Sequence, residues 1–158
     1  MPTTDTFFAD VETVIASLET ADAARIRLMV VELDKIARDL PRTAARCYTY
    51  QARLYSKTGE HQHALRAMEK AIARAPKDVS LYVYRGRILA AAGRHRQAIV
   101  DYDRALMADP EMVQALVHRG NAYKALGDTA RARADYAAAL DLEPGSQPIK
   151  DRLRELDQ

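Results

Sequence analysis

The residues of this 158-residue chain with the chemistry to catalyse or to bind metal are four histidines, one cysteine and 22 Asp and Glu. His61 and His63 stand two apart, a spacing that points two helical side chains in different directions, and no Cys or second His completes an i, i+4 pair. They read, with His95, as solvated histidines at helix starts. Cys47 has no His or Lys placed on its helix face to lower its pKa, so it reads as a small packed apolar residue. Glycines fall singly, without the GxxxxGK or GxGxxG spacing that cradles phosphate, and the carboxylates form no pair with an argued geometry. The sequence supports no enzyme, no cofactor and no metal site.

The remaining chemistry is that of binding. Arg46, Thr49, Tyr50, Arg53 and Lys57 are spaced to share one helix face, apart from the packing stripe of Tyr48, Ala52 and Tyr55. The pattern returns 34 residues on as Ser80, Val83, Tyr84, Arg87 and Ala91, and again as Gln114, Val117, His118, Asn121 and Ala125. Arg46, Arg53, Lys57, Arg87 and, beside the stripe, Lys124 bring positive charge, and none of the fifteen stripe positions is acidic. The expected ligand is therefore acidic. The tyrosines ask in addition for an apolar or aromatic side chain, because tyrosine gives large contact area at low entropic cost.

The elements that must position this stripe are set by the same interval. Pro76, Pro110 and Pro144 are 34 apart, as are Gly59, Gly93 and Gly127, then Ala64, Ala98 and Ala132, then Ala71, Ala105 and Ala139. Tyr48, Tyr82 and Leu116, Tyr55, Leu89 and Tyr123, and Met68, Tyr102 and Tyr136 keep the step, with Ala52, Gly86 and Gly120 between the first two series. Each unit predicts a first helix (about 45–57, 79–91 and 113–125) closed by the glycine, and a second running to the proline. Asp78, Ser146 and Asp109 are expected to cap helix starts. Arg85 and Asp101 correspond to Arg119 and Asp135, while Gln51 and Ala67 hold both positions in the first unit. The paired change predicts an Arg to Asp contact within the last two units, worth about 0.2–1 kcal/mol where solvent reaches it.

A period of 34 with this order of residues resembles the tetratricopeptide repeat, over about two thirds of the chain. The resemblance implies an all-α right-handed superhelical solenoid: repeats at 45–78, 79–112 and 113–146, an N-terminal hairpin over 1–44 and a capping helix over 147–158. It also implies that the first-helix stripes line a concave groove where peptides dock, with Tyr50, Tyr84 and His118 in one row and Arg53, Arg87 and Asn121 in the next. One subset of the family holds acidic chaperone tails through a clamp of Lys, Asn and Arg. At the matching positions this chain has Thr49 and Arg53, Tyr84, and Gln114 and His118, so that clamp is absent.

In the N-terminal region, Phe7, Val11, Ile15 and Leu18 predict a helix over 5–19, and Ile26, Met29, Val30, Leu33, Ile36, Ala37 and Leu40 a second over 22–40 that stops before Pro41. Leu28 and Val31 lie opposite that second stripe. The first helix is expected to cover them; left exposed, they would mediate a homodimer. The rival reading of the first helix is that it folds across the groove of the first-helix stripes and fills it with Phe7 and Phe8. At the other end, Ile149, Leu153 and Leu156 give the end helix one apolar face, and a solenoid needs such a cap.

Length suggests a single folding unit. Interspersed charges, 24 Lys and Arg against 22 Asp and Glu, exclude a polybasic nucleic-acid or membrane tract. No apolar run approaches the roughly 20 residues of a membrane span. An opening without a charged, apolar leader and a single cysteine lead to a cytoplasmic expectation. The function expected is that of a non-catalytic adaptor for a peptide partner, acidic and amphipathic. Its rivals are a dedicated secretion or folding chaperone, which would keep its partner soluble on co-expression, and a self-assembling structural unit.

Overall fold

The computed structural model describes residues 4–16 and 23–157, and every regular element among them is helical. The chain divides into two compact units, residues 1–76 and 77–158.

The first unit holds α1 (Thr4–Ala16), α2 (Ala23–Asp39), a 3-10 turn at Pro41–Thr43, α3 (Ala44–Lys57) and α4 (His61–Arg74). Pro41 forces Leu40 out of the helical region (φ −126°, ψ 79°), which ends α2. The buried side of α1 is Phe8, Val11, Val14 and Ile15, with Phe7 only half-buried; the expected Leu18 lies outside the described residues. On α2, Ile26, Met29, Leu33 and Ala37 are buried, whereas Leu40 is exposed. The expectation that α1 covers the far side of α2 is corrected here: Leu28 is 72% and Val31 64% exposed. One apolar stripe can cover one surface, and α1 packs its stripe's aromatic end on α3, where Arg46 and Arg53 offer partners.

The second unit holds α5 (Val79–Ala91), α6 (His95–Ala108), α7 (Val113–Ala125), α8 (Thr129–Leu142) and α9 (Gln147–Glu155). α5 packs on α6, α7 on both α6 and α8, and α9 on α8. Ile149 is the buried residue of α9, with Leu153 and Leu156 half-buried. Asp78 caps α5 through the Ser80 amide at 3.0 Å. Ser146 makes no side-chain cap bond, and Asp109 accepts from the Glu111 amide in the turn before α7, which starts four residues later. Asp128, not foreseen, caps α8 through the Arg131 amide.

The three interval glycines close α3, α5 and α7 in the left-handed region, at φ 77°, 74° and 79°. In each case the next amide reaches back five residues, Glu60 to Tyr55, Arg94 to Leu89 and Asp128 to Tyr123, which is the Schellman closure that a Cβ would strain.

Gly86 and Gly120 answer to packing instead. A Cβ on Gly86 would lie 2.5 Å from the Tyr102 ring and one on Gly120 2.6 Å from Tyr136, and both rings are buried. The first repeat has Ala52 and Met68 at these places, pairing the larger small residue with the slimmer, more flexible partner. Gly86→Ala is expected to gain about 0.5–1 kcal/mol of helix propensity and lose about 1–3 to overpacking, for a net loss. In a urea-unfolding double-mutant cycle with Tyr102→Met the two changes should couple favourably by about 1 kcal/mol. Strict additivity would show that the ring is not what excludes the methyl group.

The inferred Arg to Asp contacts are present and bidentate. Arg85 donates to Asp101 at 2.8 and 2.6 Å, and Arg119 to Asp135 at 2.9 and 2.7 Å. Arg119 also donates to Asp103 at 2.7 Å. Solvent scarcely reaches the carboxylates, Asp101 being 3% and Asp135 5% exposed, so the small magnitude of a solvated pair does not apply. In the first unit, Gln51 at the Arg position is buried and donates to the Val30 carbonyl of α2 at 2.9 Å, which satisfies it without a charged partner.

Candidate functional site

In the first unit the binding stripe of α3 already has an occupant. The Phe8 ring stacks on Tyr50 with centroids 5.3 Å apart and planes at 23°, and the Arg46 guanidinium sits 4.1 Å over the Phe8 ring. One α-helical turn further along α1, Glu12 accepts from both Nη atoms of Arg53 at 2.7 and 2.9 Å. That charged hydrogen bond holds the Glu12 carboxyl below its usual range, and burial raises the Tyr50 hydroxyl. Tyr50 is 7% exposed, and Lys57, at the end of the stripe, is exposed. A separate open cavity of about 450 Å³ lies on the other side of this unit, between α2, α3 and α4, beside Val31, Arg66 and Lys70.

In the second unit the same stripe positions on α5 are open. Ser80, Val83, Tyr84 and Arg87 line a cavity of about 380 Å³, whose other walls are Met112, Val113 and Gln114 at the start of α7 and Glu143 after α8. Tyr84 is half-buried, and Arg87 is exposed with its guanidinium 5.5 Å over the Tyr84 ring. An aromatic floor, a cation at its edge and an apolar wall can take an apolar side chain together with a carboxylate.

On α7, His118, Asn121 and Lys124 are committed internally. His118 stacks on Tyr102 at 5.9 Å, Asn121 accepts from the Tyr136 hydroxyl at 2.7 Å and from Arg152 at 3.3 Å, and Lys124 pairs with Glu155 at 2.7 Å. The groove expected to be positive also carries carboxylates. Glu12, Glu143 and Glu155 arrive from other elements, which a search along the stripes alone does not see.

Burial, with the nearby Arg87 and Arg152, pushes the His118 imidazole down to about 4. The unfolded chain therefore binds a proton near pH 6.5 that the native state refuses until about pH 4, and stability falls as acid is added through that window. The loss is on the order of 1–2 kcal/mol once partial solvent access is allowed for. His118→Gln is expected to shrink the difference between thermal melts at pH 7 and pH 4.5; an unchanged difference would place the acid-sensitive group elsewhere.

Cys47 is fully buried, 3.9 Å from the Thr43 hydroxyl, and burial pushes its thiol up. His61 and His95 are less solvated than expected, each with a buried, unpartnered Nδ1 at the first residue of its helix. His63 stacks on Tyr55 at 5.1 Å. No three His, Cys, Asp or Glu side chains among the described residues group to hold a metal ion, and no helix among them is long and apolar enough to cross a membrane.

Tetratricopeptide repeat models match residues 51–111 and 113–146. No curated protein matches the chain. Among solved structures, the first TPR domain of human RPAP3 is 24% identical with a TM-score of 0.69, over 73% of this chain and 91% of that one. The second TPR domain of human RPAP3, in complex with the HSP70 peptide SGPTIEEVD, is 23% identical with a TM-score of 0.68, over 75% and 98%. The TPR2B domain of yeast Sti1, in a pHsp70 complex, is 26% identical with a TM-score of 0.66, over 72% and 96%. These likenesses establish an all-α fold of repeated helix pairs.

Proposed function

Because the chain belongs to the tetratricopeptide repeat family, we propose that it is a non-catalytic adaptor that holds an acidic, amphipathic peptide segment of a partner protein on the α5 face. The observation that carries this is the open cavity beside Tyr84 and Arg87, an aromatic and a cation without an occupant among the described residues, where the corresponding Tyr50 and Arg53 have one. Tyr84 in place of a clamp asparagine argues for a ligand that brings an apolar side chain as well, and so against a chaperone tail as the ligand itself.

With the partner identified by affinity capture, calorimetric titration tests the reading. Tyr84→Ala is expected to cost about 1–2 kcal/mol of binding, more than the loss of any one rim charge, and affinity should fall as salt shortens the Debye length to about 8 Å. A partner whose affinity ignores both Tyr84→Ala and Arg87→Glu binds elsewhere.

The exposure of Leu28 and Val31 favours a second reading, a homodimer through α2. On it, replacing both with Lys gives a monomer of unchanged helicity, and light scattering that finds the unmodified chain monomeric at high concentration removes it.

A further inference from the structure

The occupied stripe of the first unit is a template for the empty one of the second. Tyr50 and Arg53 of α3 stand at the same repeat positions as Tyr84 and Arg87 of α5, and they hold one face of α1: Phe8 on the tyrosine, Glu12 on the arginine, with Val11 and Ile15 buried on either side of that carboxylate. This is the i, i+3, i+4, i+7 reading of an amphipathic helix laid on a helical surface. We propose that the Tyr84–Arg87 surface recognises a partner helix with that grammar: an aromatic residue, a β-branched or other apolar residue three positions on, and a carboxylate at the fourth. The inference rests on the adaptor reading above and gives its ligand a conformation and a spacing.

Two replacements adapt the α5 copy to a ligand that arrives from outside. Ser80 stands where Arg46 covers the outer face of Phe8, and Val83 where Thr49 stands. The smaller Ser80 leaves the cavity open, and Val83 gives it an apolar wall. Glu143 also lines the cavity and disfavours a second carboxylate there, so a merely acidic segment is a poorer ligand than one with a single carboxylate among apolar residues.

The probe is a labelled synthetic peptide with the sequence of residues 4–16, titrated by fluorescence anisotropy into the full chain. Binding is expected. In the peptide, Phe8→Ala or Glu12→Gln should weaken it about tenfold each. In the protein, Arg87→Glu should abolish binding of the parent peptide and restore it to a Glu12→Lys peptide.

A scrambled peptide of the same composition binding equally well would overturn the inference and leave the adaptor reading standing, because charge and apolar content would then suffice. Failure of both peptides to bind also overturns it. Binding lost with Arg53→Glu but kept with Arg87→Glu would mean that the peptide only exchanges with the chain's own α1, and overturns it too. An assembly of the unmodified chain that dissolves on Arg87→Glu would overturn the assignment to a partner, because the occupant would then be α1 of a second copy.

Discussion

Arg119→Ala is expected to lower the unfolding free energy by about 3–5 kcal/mol, a large share of the roughly 5–15 kcal/mol of an ordinary domain. All three guanidinium nitrogens are engaged, two by Asp135 and one by Asp103, and together they raise the Arg119 pKa so far that the charge is permanent. Truncation leaves Asp135, at 5% exposure, as an uncompensated buried charge, and that penalty outweighs the modest worth of the pair itself. Arg119→Gln combined with Asp135→Ala, the pairing that the first repeat uses as Gln51 and Ala67, should recover most of the loss because no buried charge remains. Urea denaturation followed by circular dichroism measures both. A single-variant loss below about 1 kcal/mol would mean that water reaches Asp135 and that the contact behaves as a surface pair.

That contact was legible in the sequence because it occurs twice and is replaced at both ends in the first repeat. Whatever is repeated could be read in this way: the helix ranges around Gly59, Gly93 and Gly127, the recurring small residue at Ala52, Gly86 and Gly120, and the second, non-packing stripe of α3, α5 and α7. What occurs once was legible less far: the first helix could be laid across the groove as an alternative, but its individual contacts could not be read. Glu12 and Arg53 are 41 residues apart, with no second copy to betray the pairing. The period of α1 alone also fails to say whether Phe7 or Phe8 faces inward, since adjacent residues lie about 100° apart on a helix and either can join an apolar stripe. The pairing of Lys124 with Glu155 and the polar ties of Asn121 escaped for the same reason, because α9 is unlike any repeat helix that precedes it.

Phe8→Ala is expected to cost about 3–5 kcal/mol of local stability, with the loss confined to the docking of α1. The ring is 1% exposed, stacked on Tyr50 and covered by Arg46, so truncation removes both contacts and leaves a hole on the α3 face. Hydrogen exchange should then quicken across residues 4–16 while α5 to α8 keep their protection. Acid should act in the same direction on the unmodified chain. Glu12 titrates below its unfolded value, so its contribution to docking is complete above the usual carboxylate range and is lost as pH falls through the depressed native value. The functional consequence is a change of stoichiometry. With α1 released, Tyr50 and Arg53 become a second surface of the same kind as Tyr84 and Arg87, and the peptide of residues 4–16 should bind the Phe8→Ala chain at two sites where the unmodified chain offers one. Arg53→Glu in that background should return the count to one. If exchange quickens in α1 and the stoichiometry stays at one, α1 is a structural cover for α3 and its contacts are no guide to the ligand of α5.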